Sequence, residues 1–310
     1  MIPAVLVVAL MQTPAAPSRS PADREALLTQ ATEAVARGNR IEAKRLFGAA
    51  AAQYHSVSAL MQLARLDSEE GNGEAAMRAL REARALAPNS EDVLTAFAEL
   101  SLKMRASVPS ILTLESLTRM YPDEPRHFYL LGVALMRAGD MPAAIEPLRT
   151  ANALEPDRPL TLLALGLAYN SRKQYGDARP PLRRALDLEP DSIEVLSAFS
   201  EAEAGAGDLE GAERDATRAI NRTPANATAN FVMGLVRMAQ QRYPEARDAL
   251  LAAAVADPAS PKTEYQLSLV YARLGDQVAS DKHRALYEQR LRAIEQALAA
   301  LHASNGGTDR

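Results

Sequence analysis

The 310-residue sequence contains no cysteine and no tryptophan, and aromatic residues make up only 5% of it. The missing cysteine excludes disulfides, thiolate metal sites, cysteine nucleophiles and a lipidated cysteine anchor. It leaves the compartment open, because a thiol-free chain suits reducing and oxidising space alike. There is no surplus of positive charge either: 35 Lys and Arg against 39 Asp and Glu give a net −4, with the signs interleaved. Neither nucleic acid nor an anionic membrane surface is an expected partner, since both demand a basic stripe.

Long hydrophobic runs are also scarce. The stretch Ile2 to Met11 is apolar, but it is too short to span a bilayer, which takes about 20 residues as a helix. It has the length of a signal-peptide h-region, and Thr13 and Ala15 have the spacing of a cleavage site, although no Lys or Arg precedes the run. Residues 1–15 therefore read as a signal peptide. The expectation is a periplasmic or secreted chain with no membrane span once processed. The alternative is a cytoplasmic chain with a disordered or mis-started N-terminus. Residues 16–23, rich in Pro, Ala and Ser, read as a linker.

What the sequence does have is alanine, leucine and a period. Apolar residues reach 47%, dominated by two strong helix formers. Six prolines, Pro88, Pro122, Pro156, Pro190, Pro224 and Pro258, are each 34 residues apart. Their neighbours repeat with them. Twelve residues before them stand Ala76, Ser110, Ala144, Ala178, Ala212 and Ala246; five before stand Ala83, Leu117, Ala151, Ala185, Ala219 and Ala253. Eight before, leucine recurs from Leu80 to Leu250, with Ala216 the one exception. Further upstream a large residue is followed by a small one in every copy, as in Leu131-Gly132 and Leu165-Gly166. Large residues at helical spacing fill the space between helices, and small ones let two backbones approach. Gly71-Asn72, Gly139-Asp140 and Gly207-Asp208 mark turns midway, and each proline stops a helix. Each unit is thus helix, turn, helix, proline.

The stretch FYLLGVALMRAGDMPAAIEPLRTANALEP, from Phe128 to Pro156, resembles the tetratricopeptide repeat in its large-x-x-Leu-Gly opening, central alanine and terminal proline. The next copy matches too and keeps that family's tyrosine at Tyr169, while Phe128 and Leu162 stand in for its tryptophan. The resemblance covers roughly residues 24–301. It implies an all-α, right-handed superhelical solenoid of about eight helix-turn-helix repeats. The expected array occupies 24–276, with units ending near 55, 88, 122, 156, 190, 224 and 258 and a last incomplete one. The first unit is atypical, with His55 in place of proline. The copy ending at Pro122 is the weakest internal one, where Ser110, Leu117 and Pro109 predict a change in packing angle. Pro147 and Pro181 fall inside second helices and are expected to bend them. A long helix over 277–301 reads as a C-terminal cap. Its stripe of Tyr287, Leu291, Ile294, Leu298 and Leu301 offers a self-association surface as the alternative, and residues 302–310 read as a flexible tail.

Candidates for chemistry are few. His55, His127, His283 and His302 lie in different units and show no metal-ligand spacing. The glycine cluster Gly205 to Gly211 falls at an inter-helix turn, with no Gly-Lys-Ser or Gly-Lys-Thr to make it a phosphate loop. Asn221-Arg222-Thr223 and Asn226-Ala227-Thr228 match only the short glycosylation sequon. No catalytic set, metal site or cofactor is expected, and the chain is read as a non-enzyme.

The resemblance further implies that first helices line a concave face. Shared offsets from the prolines place Tyr129, Val133, Met136, Leu163, Leu167, Asn170, Phe231, Leu235 and Met238 there, with acidic residues at Asp92, Glu99, Glu194 and Glu201. This is the candidate groove for a protein or peptide segment, held by apolar anchors, with Asn170 offered to a peptide backbone. The second reading of the same residues is packing against neighbouring units. The function expected is a scaffold or adaptor in the cell envelope; the alternative is a structural subunit associating through residues 277–301.

Overall fold

The computed structural model describes residues 20–305; the apolar run and cleavage site near the N-terminus lie outside them, as do the side chains of Leu298 and Leu301. Sixteen helices follow one another, in pairs, across the described residues. They are α1 (Pro21–Ala36) and α2 (Arg40–Tyr54), α3 (Val57–Glu69) and α4 (Gly73–Leu86), α5 (Glu91–Lys103) and α6 (Ser107–Met120), and α7 (Pro125–Arg137) and α8 (Met141–Leu154). Then come α9 (Pro159–Ser171) and α10 (Tyr175–Leu188), α11 (Ile193–Gly205) and α12 (Leu209–Arg222), α13 (Ala227–Ala239) and α14 (Tyr243–Ala256), and α15 (Pro261–Leu274) and α16 (Gln277–Asn305). The architecture is an all-α repeat solenoid. None of the described helices is long and apolar enough to cross a membrane.

Local chemistry sets the helix ends. Ser20, Asn39, Ser56, Asp140, Ser192, Asp208, Asn226 and Ser260 cap helix N-termini with their side-chain oxygens, satisfying backbone donors that no carbonyl can reach. The turn inside each repeat passes through one residue of positive φ. Glycine takes that place at Gly38, Gly71, Gly139, Gly207 and Gly275, whereas Arg105, Lys173 and Gln241 hold it at φ 58–59°. A side chain there crowds its own backbone, at a cost of about 1–2 kcal/mol per residue. The 34-residue prolines sit just beyond the second helices, in the links between repeats. Pro109 lies in the first turn of α6, where a missing N–H costs nothing. Both α8 and α10 continue through Pro147 and Pro180-Pro181.

The chain divides into two compact units, residues 1–96 and 97–310. The division falls inside α5, the first helix of the copy with the weakest repeat pattern. In the first unit, Ala31, Ala34, Leu46, Phe47, Leu60, Leu66 and Ala83 form the core, and Lys44 of α2 is held between Asp67 and Glu70 at the end of α3.

In the second unit the core runs through three clusters centred on Leu148, Leu182 with Phe199, and Leu250. The helix crossings obey one rule. A Cβ added at Gly132 would meet Leu148 Cγ at 2.5 Å, at Gly166 Leu182 Cγ at 2.3 Å, and at Gly234 Leu250 Cγ at 2.6 Å. In these three repeats the small residue of the first helix thus seats the leucine of the second helix, sixteen residues on.

At the C-terminal end α16 runs from Gln277 to Asn305, four residues into the stretch read from sequence as a flexible tail. Its first half packs along α15 as the second helix of an eighth repeat. Ser280 donates to Ser268 O, and the buried Glu264 carboxylate takes His283 Nδ1 and Arg290 Nη1 at 2.6 Å each. Tyr271 stacks on His283 with ring centroids 5.2 Å apart. The remainder of α16 outruns α15, and Leu291 and Ile294 stay exposed on it.

The repeat of α11 and α12 also buries a carboxyl group. Glu203 of α11 stands where the preceding repeat has Tyr169, and it is only 1% exposed. Burial, reinforced by Asp215 and Asp208 and opposed by Arg214 and Arg183, pushes its carboxyl up to about 7.

Two outcomes follow from this packing. Gly166→Ala should destabilise the protein by about 1–3 kcal/mol through overpacking against Leu182. Gly48→Ala, whose added carbon meets nothing within 4 Å, should be neutral or stabilising by about 0.5–1 kcal/mol. Urea unfolding followed by circular dichroism separates them, and equal midpoints would sink the crossing rule. For Glu203, the folded state retains a proton that the unfolded chain loses near the ordinary carboxyl value of 4.5. Stability contributed by this group is therefore highest at acid pH and is lost as pH rises towards 7. Glu203→Gln should melt higher than the parent at pH 8, by the equivalent of about 1–3 kcal/mol, and the gap should close by pH 5. A parent and variant that melt together at pH 8 would contradict the assignment.

Candidate functional site

In the second unit the first helices α7, α9, α11, α13 and α15 pack side by side, and each second helix lies across the seam beside them. This first-helix layer carries all nine sequence-derived candidates. The structure distributes them unevenly.

Tyr129, Val133 and Met136 of α7 and Leu163 and Leu167 of α9 are all partly exposed. Tyr129 and Met136 lean on the Leu148 cluster, and Leu163 and Leu167 on the Leu182 cluster. Their inner edges pack while their outer edges meet solvent. Leu160, one turn before Leu163 on the same helix face, is 54% exposed and extends the patch. It occupies the register of Arg126 and Glu194, and a systematic reading of that offset finds it.

Asn170 and Phe231 are different. Asn170 is buried, and its Nδ2 donates to Ala198 O of α11 at 2.8 Å. Its amide therefore ties α9 to the next repeat and is not offered to a peptide backbone. Phe231 of α13 is likewise buried, beneath the Lys262 ammonium of α15 at 4.7 Å from the ring centroid. The same ammonium pairs with Glu201 of α11, passing over α13. Leu235 and Met238 are partly exposed and pack on the Leu250 cluster.

The electrostatics follow the same plan. A cation placed over an aromatic face is attracted by the ring's quadrupole, at about 0.5–2 kcal/mol. Arg158 covers Tyr129 at 5.2 Å and Arg183 covers Phe199 at 4.4 Å, each from a neighbouring helix. Two of the acidic residues assigned to this face also have internal partners: Glu99 pairs with Arg126, and Glu201 with Lys262. The layer thus has an apolar patch over α7 and α9, then a charged bridge across α11 and α13. Among the described residues no cluster of three His, Asp or Glu side chains could hold a metal ion.

A family model described as tetratricopeptide repeat matches residues 110–159 and 198–261. Those two stretches are tetratricopeptide repeats. Solved structures resemble it in fold. A tetratricopeptide repeat protein from Parabacteroides merdae ATCC 43184 is 14% identical, with 80% of this chain and 99% of that one aligned and a TM-score of 0.58. PilW, a type IV pilus biogenesis factor, is 17% identical over 69% of this chain and 97% of its own, at a TM-score of 0.54. Human IFIT1, a dimer solved with PPP-AAAA, is 16% identical over 89% and 70%, at 0.55. No curated protein matches the sequence. The repeat fold is that of protein-interaction scaffolds, and protein is the partner class it suggests.

The unequal burial of the aromatic pair has a measurable consequence. Phe231→Ala should cost about 3–5 kcal/mol as a core truncation, while Tyr129→Ala should cost no more than about 2 kcal/mol. Chemical denaturation of both variants checks this, and similar losses would mean that Phe231 is not shielded.

Proposed function

We propose that this protein is a non-catalytic scaffold of the cell envelope that docks an apolar segment of a partner protein on α7 and α9. The observation that carries this reading is the continuous patch of Tyr129, Val133, Met136, Leu160, Leu163 and Leu167, partly exposed on two adjacent helices. Contiguous exposed apolar surface of this kind marks interaction sites. Leucine and methionine adapt to varied side chains, and tyrosine supplies area with a polar tip. Leu235 and Met238 form a lesser patch beyond the Glu201–Lys262 bridge. A partner long enough to reach both must cross that bridge, which adds a charged step to recognition. The envelope location rests on the apolar run from Ile2 to Met11 and the small residues after it.

The test is capture from an envelope fraction by the tagged protein and by Leu163→Ser/Leu167→Ser, with circular dichroism confirming both are folded. The double variant should lose its partner, weakening binding by about tenfold or more, as expected for truncated interface anchors. Equal recovery of every partner by both proteins would remove α9 from the docking surface.

A further inference from the structure

A second feature lies on the second-helix side, away from the apolar patch and independent of it. Helices α10 and α12 flank the buried Glu203, and four arginines gather there. Arg183 of α10 and Arg214 of α12 approach the same oxygen, Glu203 Oε1, at 3.9 and 3.8 Å. Arg179 stands 3.8 Å from Asp208, and Arg218 stands 3.2 Å from Asp215. Because Arg183 and Arg214 share one neighbouring atom, their guanidinium nitrogens lie within twice that contact distance of each other. A single oxyanion can therefore span them.

These pairings are loose. Elsewhere on the second helices, Arg184 holds Asp157 through two hydrogen bonds of 2.8 and 2.6 Å, and Arg149 holds Glu146 at 2.9 Å. Arg179, Arg183 and Arg214 make only looser ion pairs, at 3.5–3.9 Å. Arg183 is held in place from below by the Phe199 ring, so its charge is positioned without its hydrogen-bonding capacity being spent. Arg179, Arg183 and Arg214 are all exposed on their outer sides.

The floor of the site is built for an acid. Gly211 sits beneath it, and a Cβ there would lie 2.8 Å from both Asp208 Oδ2 and Glu203 Oε1. Glycine at this position leaves room for the two carboxyls. Glu203 Oε2 is buried and has no hydrogen-bond partner, which is costly for a polar atom unless something completes it.

We propose that the face formed by α10 and α12 binds a carboxylate side chain from an acidic protein segment, clamped between Arg183 and Arg214 over Glu203. Guanidinium groups bind carboxylates through paired, charge-assisted hydrogen bonds. The acidic floor favours a singly charged carboxylate over a doubly charged phosphate, since Asp208 and Asp215 repel each added charge. Protonation of Glu203 removes a negative charge beneath the arginines and leaves their attraction to the incoming carboxylate, so the site strengthens as this group takes up a proton. The groups facing Glu203 are Arg179 and Arg183 from α10, Asp208 from the turn, and Arg214, Asp215 and Arg218 from α12. Helix α9 carries no charged residue, and Arg237 of α13 is engaged with Glu213.

The experiment measures fluorescence anisotropy of a labelled hexaglutamate amide on the full chain at constant ionic strength. Affinity should rise by about three- to tenfold from pH 8 to pH 6, across the range where Glu203 titrates. Arg183→Gln/Arg214→Gln should weaken binding by about tenfold or more, with native helix content retained by circular dichroism. Arg149→Gln, on the outer side of α8, should leave it unchanged. Glu203→Gln should bind with little pH dependence. Unchanged affinity in the double arginine variant would overturn the proposal, as would an equal loss in Arg149→Gln or a full pH dependence in Glu203→Gln. Competition with inorganic phosphate and with acetate at matched ionic strength separates the two anion classes, and stronger displacement by phosphate would overturn the carboxylate assignment.

Discussion

The approach of a leucine to the bare backbone of a glycine is the contact on which the repeat depends. Leu148, Leu182 and Leu250 each fill the space that a side chain at Gly132, Gly166 or Gly234 would occupy. This seats the second helix of a repeat deep against the first. The small alanines twelve and five residues before each proline, such as Ala178 and Ala185, are buried completely and let the next repeat come equally close. A solenoid has no long-range core, so its stability is a sum of such local crossings. Each crossing also fixes the angle from which the first-helix side chains project.

That logic explains what the sequence makes legible. Prolines, alanines, leucines and small residues recur because packing within a repeat is local, and a local constraint leaves a periodic trace. The succession of helix pairs follows from it. Contacts between repeats leave no such trace. Lys262 and Glu201 meet although they are 61 residues apart, and neither has a counterpart of the same charge in every copy. Asn170 looks like a free amide on a first helix until Ala198 O is placed beside it. Leu160 was open to the same offset reading as its neighbours, but its register elsewhere carries Arg126 and Glu194, which disguises it. The division within α5 falls where the repeat pattern is weakest, which the substitutions at Ser110 and Leu117 already signal.

Charge plays two parts in the second unit. On the first-helix side, arginine and lysine lie over aromatic rings and join neighbouring repeats, as Arg158 does over Tyr129 and Lys262 over Phe231. These cations are spent on cohesion, and Lys262 lies over a Phe231 ring that is buried. On the second-helix side, Arg179, Arg183 and Arg214 stand off from acids that are themselves sunk in the structure. The exchange of a tyrosine-like position for Glu203 trades packing for a group whose charge depends on its surroundings. One repeat thereby gains chemistry that its neighbours lack, within an unchanged backbone frame.

The turns within the repeats add a mechanical dimension. Five are made by glycine at positive φ, and three by Arg105, Lys173 and Gln241. From the second repeat onward the two kinds alternate along the chain. Glycine joints are relaxed, whereas each of the other three holds its helix pair against a steric penalty. In a stack whose units open and close semi-independently, penalties at regular intervals set the pattern of local breathing. Helices α9 and α13, which present Leu163, Leu167, Leu235 and Met238, both rest on strained joints, while α7 and α11 rest on relaxed ones. The docking patch thus joins one helix on a relaxed joint, α7, to one on a strained joint, α9, so its two halves differ in how readily they yield to what they hold.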